Sequence, residues 1–258
     1  MKKVSIITIC FNAENVIENT MKSVLNQTYC NYEYIIIDGN STDNTKNIIR
    51  QVINEYPNKD ICFVSERDKG IYDAINKGVK HSKGEWISCM NSGDVFHNAN
   101  VLDSIFSRPI PPNISVIYSD HITMLKNGMK MRGHNDMNKH VYGFNHQSVI
   151  YKKELHNQYG FYINIQKLII SDTLFFAPIP SQNKMKVDTI IADYEEGGVS
   201  GKEGFSIFKQ NLCAEYIFKE ISFEKIIYMY YKRRLMLLIP DGIRKYIRKI
   251  RHRGEYEM

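Results

Sequence analysis

Acidic side chains follow several apolar stretches in the first hundred residues. Asp38 ends "YEYIIID", Asp68 comes shortly after "ICFVSE", and Asp94 closes "GEWISCMNSGD". Carboxylates that lie near one another repel, and a cation, hydrogen bonds or a bound ligand must offset this repulsion. The pattern therefore predicts a ligand site where these stretches end. A plain turn is the structural alternative for the last stretch, because the letters "NSGD" are residues that turns prefer.

Strand and helix patterns alternate through the same region. Apolar, β-branched runs predict strands, and apolar residues at helical spacing predict the helices between them. The predicted strands begin at residues 4, 32, 61 and 84, and the predicted helices span 14–27, 45–56 and 70–82. This alternation favours an α/β fold with a mainly parallel sheet flanked by helices, whose ligands bind at the carboxyl ends of the strands. After a linker-like segment at 107–113, "ISVIYSDHITML" is expected to extend the same sheet.

Several functional classes are disfavoured by what the sequence lacks. Neither a GxGxxG nor a GxxxxGK[ST] motif follows the first strand, which argues against nicotinamide-dependent enzymes and ordinary nucleotide triphosphatases. The five cysteines form no CxxC pair and favour reduced thiols in a reducing compartment. The apolar run near the N-terminus is too short for a signal peptide, and no stretch approaches the roughly 18 apolar residues of a membrane span. A cytoplasmic protein is expected.

The basic character of the chain is concentrated near its C-terminus. Residues 225–253 contain ten basic residues against Asp241 alone, a net charge of +9, whereas the rest of the chain has 24 basic and 27 acidic residues. Apolar residues alternate with these basic ones at helical spacing, which suits an anionic membrane surface. A terminal helix packed on the domain with a solvated basic face is the alternative. Nucleic acid is not expected as a partner, because no recognised nucleic-acid motif accompanies the charge.

Four ordered stretches resemble family 2 glycosyltransferases. They read "VSIITICFNAENVIENTMKSVLNQTY", "YIIIDGNSTDNT", "SERDKGIYDAINKG" and "GEWISCMNSGD". The resemblance covers roughly residues 3–96 closely, and "FNHQSVIYKKEL", "SDTLFF" and "DYEEGGVS" more loosely. It implies a GT-A fold, which is a Rossmann-like sheet that binds a nucleotide diphosphate sugar, and an inverting sugar transfer.

The resemblance also implies which residues bind the donor. Asp38 is expected to accept a hydrogen bond from the base, which in a UDP-sugar is uracil. A turn residue that caps "STDNT" is the alternative role for Asp38, although Asp43 fits that role better. The other residues expected to line the donor pocket are Thr8, Phe11, Asn12, Asp68 and Lys69.

The end of the fourth strand is expected to bind the diphosphate and a divalent cation, Mg²⁺ or Mn²⁺. By the resemblance Asp94 is the metal ligand, and Asn91, Ser92 and Gly93 line the donor site. Asn91 and Gly93 stand where many relatives carry Asp, so the sequence departs from the acidic form of this motif. One carboxylate leaves most of the coordination to diphosphate oxygens and water, and the free protein is expected to bind metal weakly.

An inverting transfer needs a base that takes the proton of the acceptor hydroxyl. The resemblance points to Asp172 in "IISDTLFF", while Glu154, Asp188 and Asp193 are competing carboxylates. A helix N-cap is the alternative role for Asp172.

Two further stretches are expected near the reaction centre. His146 and Gln147 resemble a His-Gln pair that contacts the acceptor or the diphosphate, and a buried, hydrogen-bonded histidine is the alternative. Residues 195–201, "EEGGVSG", are interpreted as a mobile loop or a long turn.

The sequence thus predicts one GT-A glycosyltransferase domain at residues 1–205 and a helical basic extension at 206–258. The predicted function is transfer of a sugar from a UDP-sugar to a glycan or lipid-linked acceptor of surface polysaccharide synthesis, at the inner face of the plasma membrane. A sugar nucleotidyltransferase would need a Gly-rich, Arg-bearing loop where "CFNAENV" stands. A non-catalytic binding or scaffolding protein of the same fold stays an alternative, because the acidic motif is reduced.

Overall fold

A computed structural model describes residues 4–125, 128–138, 144–195, 204–219 and 221–240. Strands and helices alternate through its first part, as the sequence predicts. They are β1 (Val4–Cys10), α1 (Ile17–Leu25), β2 (Tyr32–Asp38), α2 (Thr45–Glu55), β3 (Ile61–Ser65), α3 (Ile71–His81) and β4 (Trp86–Cys89). Every residue of β1, β2 and β4 is buried, because helices cover both faces of the sheet and leave no solvated face for polar residues.

The later elements complete two sheets and add short helices. They are β5 (Val95–Phe96), α4 (Val101–Phe106), β6 (Val116–Ser119), β7 (His121–Met124), β8 (Lys130–Gly133), β9 (Val149–Lys152), α5 (Leu155–Tyr159), α6 (Ser171–Phe176), β10 (Lys184–Val187) and β11 (Ala192–Glu195). Short 3₁₀ turns at His146–Ser148 and Ser181–Asn183 lead into β9 and β10.

The main sheet has seven strands in the order β10-β6-β9-β4-β1-β2-β3. All neighbours are parallel except β9, which runs antiparallel to both β4 and β6. Because β9 alone is reversed, the carboxyl ends of the other six strands lie at one edge of the sheet. The turn at His146–Ser148, which precedes β9, lies at that same edge.

The chain leaves the main sheet after β6. The run "ISVIYSDHITML" was expected to extend one sheet, but only β6 does so, and β7 belongs to a second sheet of order β5-β11-β7-β8. Ser119 ends β6, Asp120 alone separates it from β7, and both residues are buried. The Ser119 hydroxyl donates to the Asp120 carbonyl and accepts from the Ile191 amide, so local hydrogen bonds replace the strand ladder here.

Helix α3 packs directly on β1. A Cβ atom at Gly78 would lie 2.4 Å from Cγ2 of Ile7, so no larger residue fits at this crossing without moving the helix. The close approach at Gly78 brings α3, the helix that also carries Tyr72, near to β1.

Two longer helices follow the second sheet, α7 (Gly204–Lys219) and α8 (Phe223–Leu238). Helix α7 buries Leu212 and Ala214, whereas α8 contains no buried residue. Within the described ranges, no helix is long and apolar enough to cross a membrane. The predicted loop at 195–201 and the basic residues from 241 onward lie outside the described residues, with the exception of Glu195 at the end of β11. The division of the chain at residue 205 stays a prediction.

Candidate functional site

Three neighbouring strand ends form the first part of the site. The register pairs Cys10 with Asp38 and Asp38 with Ser65, so the loops after β1, β2 and β3 begin side by side. The Phe11 side chain projects from the first of these loops with 60% of its surface exposed. An exposed aromatic ring at the carboxyl edge of a parallel sheet offers a stacking face for a planar ligand.

The Asp68 carboxylate lies directly over Gly39. A Cβ atom at Gly39 would be 2.5 Å from Asp68 Oδ2 and 3.3 Å from Cδ2 of Phe11. The missing side chain at Gly39 therefore leaves room for the Asp68 carboxylate beside the Phe11 ring. The turn is closed by hydrogen bonds from the Gly70 amide to Asp68 Oδ1 at 2.9 Å and from the Lys69 amide to Asp73, while the Lys69 side chain is exposed.

The Asp38 side chain points inward. It has no exposed surface, and it accepts hydrogen bonds from the amide and hydroxyl of Ser41 and, at 2.6 Å, from the Ser65 hydroxyl. The Cys10 thiol lies 3.7 Å from the same carboxylate, and burial together with the Asp38 charge raises the pKa of that thiol far above its ordinary value. With both oxygens engaged, Asp38 organises the loop after β2, and the carboxylate beside Phe11 is that of Asp68, which is partly exposed.

The Thr8 side chain is also directed inward. It is fully buried, donates to the Met90 carbonyl at 2.7 Å and accepts from the Tyr34 hydroxyl at 2.9 Å, so its side chain lies beneath the site. Asn12 is exposed and joins two loops, because its amide donates to the Ser41 hydroxyl and its side chain accepts from the Thr42 amide.

The loop after β4 forms a turn and contains a buried side-chain oxygen that accepts no hydrogen bond. The Asp94 amide donates to the Asn91 carbonyl, and Gly93 has a φ of 98°, which favours glycine. The Ser92 amide donates to the Ile9 carbonyl, which ties this loop to β1. Asn91 Oδ1, however, is buried and accepts no hydrogen bond. A buried acceptor of this kind is costly unless a ligand or cation contacts it.

The donor set at this loop suits a hard cation but is sparse. Carboxylate and amide oxygens are the ligands that Mg²⁺ and Mn²⁺ prefer, and Asp94 and Asn91 supply one of each. In the part of the chain that the structure describes, no group of three or more His, Cys, Asp and Glu side chains could hold a metal ion. A cation here would therefore depend on ligand oxygens and water for most of its coordination.

Asp172 lies in the first turn of α6 and is contacted by Tyr72 of α3. The Tyr72 hydroxyl lies 3.0 Å from Asp172 Oδ1, accepts from the Ser171 amide at 3.1 Å and contacts the Ile169 carbonyl. Burial and the negative charge of Asp172 raise the pKa of Tyr72 far above its ordinary value, so the hydroxyl keeps its proton. Tyr72 thereby fixes the position of Asp172, and the Thr173 amide also donates to this carboxylate.

His146 is buried beside this carboxylate. Its Nε2 lies 3.1 Å from the Tyr162 hydroxyl, and burial lowers its pKa against the opposing effect of Asp172. A neutral ring with one nitrogen engaged matches the buried-histidine alternative. Gln147 is partly exposed, and its amide donates to the Asn145 side chain.

The three competing carboxylates are paired, at the opposite edge of the sheet, or exposed after its last strand. Asp193 is buried against His97 at 2.6 Å and Lys130 at 3.5 Å. Glu154 follows β9 at the opposite edge of the sheet, and Asp188 is exposed after β10. Of the four candidates, Asp172 is the carboxylate held beside His146.

Sequence reasoning missed two contributors, Tyr72 and Gly39. Tyr72 contacts a residue 100 positions away, and Gly39 matters because of the side chain that lies over it. Both belong to stretches that carry the family resemblance, "SERDKGIYDAINKG" and "YIIIDGNSTDNT", and these stretches are the signal that could have drawn attention to them.

Several known proteins are similar to this chain in sequence. A sequence model described as glycosyl transferase family 2 matches residues 5–108. An Escherichia coli protein, UDP-Glc:alpha-D-GlcNAc-diphosphoundecaprenol beta-1,3-glucosyltransferase WfgD, is 35% identical over 119 residues, which are 46% of this chain and 45% of that protein. A PGL/p-HBAD biosynthesis glycosyltransferase of Mycobacterium bovis is 26% identical over 204 residues, 76% of this chain and 78% of its own length. The matched segment thus spans less than half of the E. coli relative.

Solved structures show the same fold at low sequence identity. The mannosyltransferase PcManGT of Pyrobaculum calidifontis, solved with GDP-Man and Mn²⁺, has a TM-score of 0.64 at 15% identity and covers 84% of this chain and 63% of its own. Residues 1–349 of S. aureus TarS, solved with UDP-GlcNAc, also give a TM-score of 0.64, at 17% identity, covering 93% of this chain and 77% of that one. The predicted mainly parallel α/β sheet flanked by helices is thereby confirmed as a GT-A fold.

Proposed function

We propose that this chain, whose residues 5–108 match the sequence model of glycosyl transferase family 2, transfers a sugar, with inversion, from a UDP-sugar to a glycan or lipid-linked acceptor of surface polysaccharide synthesis. One observation carries the proposal: three carboxylates lie at a single edge of the sheet. Asp68 and Asp94 follow β3 and β4, and Asp172, in the first turn of α6, contacts Tyr72 at the start of α3 and lies near the turn that precedes β9. A relative that acts on UDP-Glc with a diphosphoundecaprenol acceptor and a fold neighbour solved with UDP-GlcNAc support the choice of substrates.

In the proposed donor complex, the base stacks on Phe11 and Asp68 accepts a hydrogen bond from it. Uracil carries an N–H donor at N3, and a carboxylate is a strong acceptor for it. Asp38 takes no direct part, since Ser41 and Ser65 occupy its oxygens. Gly39 is required because a larger residue would move Asp68.

We predict that Gly39→Ala weakens UDP binding about tenfold, the cost of one hydrogen bond to a charged group. The new methyl group would displace the Asp68 carboxylate, while the fold is kept because a side-chain terminus can move. Calorimetric titration with UDP measures the effect. Asp68→Ala should match it and should also lose the preference for UDP over CDP, whose N3 carries no proton. Unchanged UDP affinity in Gly39→Ala would contradict the assignment of Asp68.

The diphosphate is proposed to lie at the loop after β4, with Asn91 Oδ1 and Asp94 as protein ligands of Mg²⁺ or Mn²⁺ and Ser92 and Gly93 beside it. The unpartnered acceptor of Asn91 supports this, as does the fold neighbour solved with Mn²⁺. The bound cation would offset the negative charge that builds up on the leaving diphosphate. Lys69, exposed in the loop after β3, supplies a further positive charge for the phosphates.

Asp172 is proposed as the general base. It removes the proton of the acceptor hydroxyl while that oxygen bonds to the anomeric carbon and the bond to the diphosphate breaks on the opposite face. Tyr72 holds the carboxylate in place, so less motion accompanies the proton transfer. His146 and Gln147 contribute to the acceptor side, His146 through packing and Gln147 through its exposed side chain.

Sugar transfer by the purified chain tests the proposed function. The first acceptor is a lipid diphosphate that carries α-linked GlcNAc, offered with a panel of UDP-sugars and Mg²⁺ or Mn²⁺. The anomeric coupling constant of the product distinguishes inversion from retention. Binding of UDP without turnover on this and on neutral glycan acceptors would instead favour a non-catalytic protein.

The membrane partner is proposed to contact the outer face of α8. Phe223, Ile227, Tyr231 and Leu235 follow one another every fourth residue and are 42 to 63% exposed. Such a stripe places aromatic and aliphatic groups on one side of the helix. Arg234 is also exposed and falls among the stripe, so the surface combines apolar contact with positive charge, as an anionic bilayer requires.

We predict that replacing Tyr231 and Leu235 together by Ser weakens binding to phosphatidylglycerol-containing vesicles about tenfold, because two apolar side chains no longer enter the interface. Cosedimentation at low salt measures this, and added salt should weaken binding of the unaltered chain. Met129→Ser, which removes an exposed apolar side chain from the turn before β8, is the matched control. Equal binding by all three proteins would favour a helix that is merely solvated.

A further inference from the structure

Three basic side chains converge on one buried carboxylate beside the proposed reaction centre. Asp120, which is 5% exposed, receives Lys186 Nζ at 2.6 Å, His134 Nδ1 at 3.0 Å and Arg132 Nη2 at 3.1 Å. The Asn135 amide also donates to it, at 3.1 Å. We call Arg132, His134 and Lys186 the basic triplet.

The basic triplet has more hydrogen-bond donors than Asp120 can use. Arg132 carries five N–H donors and Lys186 three, and the contact of each with Asp120 occupies one. Their side chains are 42% and 43% exposed, and that of His134 is 66% exposed. Burial alone would raise the pKa of Asp120, but the hydrogen bonds from Lys186, Asn135, His134 and Arg132 outweigh it and hold that pKa well below its ordinary value. Asp120 therefore stays charged and anchors the triplet with its remaining donors toward solvent.

The position of the triplet matches the acceptor side of the reaction centre. Asp120 follows β6, and Lys186 lies in β10, at the end of the sheet order opposite to β1, β2 and β3. Two hydrogen bonds connect the cluster to the reaction centre: the Asn145 amide donates to Asn135 Oδ1 at 3.0 Å, and the Gln147 amide donates to Asn145 Oδ1 at 3.1 Å. An inverting transfer brings the acceptor from the side away from the leaving nucleotide, which is this side.

We propose that Arg132, His134 and Lys186 form a binding site for the diphosphate of a lipid-linked acceptor. The inference rests on the proposed function. It adds that the protein holds the acceptor by its diphosphate group. A planar guanidinium and a compact ammonium are suited to diphosphate oxygens, which accept several charge-assisted hydrogen bonds at once. The donor diphosphate, at the loop after β4, is a separate site.

Single substitutions keep Asp120 partnered by the two remaining basic groups, so Arg132→Gln and Lys186→Gln are expected to fold. With the GlcNAc-diphosphate lipid in neutral detergent, each should raise KM for the acceptor about tenfold, from the loss of a charge-assisted hydrogen bond, and leave kcat within about twofold. With the same sugar on a neutral octyl aglycone, KM should be unchanged. The same sugar on a phosphodiester-linked glycan separates recognition of a lipid diphosphate from recognition of polymer phosphate. A tenfold rise in KM for the glycan as well would overturn the lipid-specific part of the proposal.

Lys80→Gln, at the end of α3 and at the opposite edge of the sheet, is the matched control and should behave like the unaltered chain on both acceptors. A second readout does not need turnover. With UDP and metal saturating, inorganic pyrophosphate should raise the melting temperature of the unaltered chain and not that of Arg132→Gln. Equal stabilisation of both proteins, or equal KM changes on charged and neutral acceptors, would overturn the proposal. If no acceptor is glycosylated, the proposed function fails while the pyrophosphate measurement still decides on the anion site.

Discussion

Asp172→Asn is expected to lower kcat for sugar transfer by a factor of about 10² to 10⁴, the usual contribution of a general base. The amide has the shape of the carboxylate and can still contact the Tyr72 hydroxyl, so the fold and the affinity for UDP should change little. What is lost is the acceptor for the proton of the attacking hydroxyl. Initial rates of transfer at saturating donor and acceptor, together with calorimetric titration of UDP, measure both effects.

Two companion variants separate base catalysis from a structural role. Tyr72→Phe removes the hydroxyl that holds Asp172 and should lower kcat about tenfold with KM for the donor nearly unchanged. Glu154→Gln alters an exposed carboxylate at the opposite edge of the sheet and should retain the full rate. If Asp172→Asn keeps more than about a tenth of the activity, another residue must be the base.

The second large effect is expected for Asp94→Asn, which should reduce transfer about 100-fold or more at a fixed concentration of Mn²⁺. The substitution removes the proposed carboxylate ligand from the loop that contains Asn91. The cation would then be held more weakly, and it would stabilise the negative charge of the transition state less. Raising the Mn²⁺ concentration should recover part of the rate. Titration of activity against metal, with and without saturating UDP-sugar, measures the shift.

The control for this prediction is Asp103→Asn in the first turn of α4, an exposed acidic residue that should leave the metal dependence unchanged. Transfer by the unaltered chain that persists at full rate in excess chelator would show that Asp94 does not act through a cation. Calorimetry should also find that UDP binds more tightly with Mn²⁺ than without it, and that this difference shrinks in Asp94→Asn.

The elements of the donor half could be predicted closely because their patterns are local. The predicted helix at 45–56 ends within one residue of α2, and the predicted helix at 70–82 differs from α3 by one residue at each end. Continuous β-branched runs bounded by polar residues strongly favour strands over other secondary structure. The expected carboxyl edge follows from the parallel order, and the strand ends do lie side by side.

The orientation of each strand-end carboxylate could not be predicted in the same way. Asp38 and Asp68 both follow apolar runs, yet Asp38 turns inward because Ser41 and Ser65 donate hydrogen bonds to its oxygens. The hydrogen bonds of Asp38 depend on the register of three strands, and the position of Asp68 depends on the space left by Gly39. The sequence pattern alone contains neither piece of information.

Contacts between distant parts of the chain were equally hidden. Tyr72 meets Asp172, and Lys186 meets Asp120, across 100 and 66 positions, and each pair depends on how two strands or helices are placed in the finished sheet. The division at the end of β6 could not be predicted either. The run "ISVIYSDHITML" has one continuous apolar pattern, although hydrogen bonds at Ser119 divide it between two sheets.

The reversed strand β9 has a consequence for how such a protein can diversify. It separates β1 to β4, where the proposed nucleotide contacts lie, from β6 and β10, where the basic triplet lies. The sequence match to the family, residues 5–108, stops before β6 begins. If the proposed transfer is correct, substitutions beyond residue 108 can change which acceptor is bound while the proposed donor contacts of β1 to β4 keep their residues.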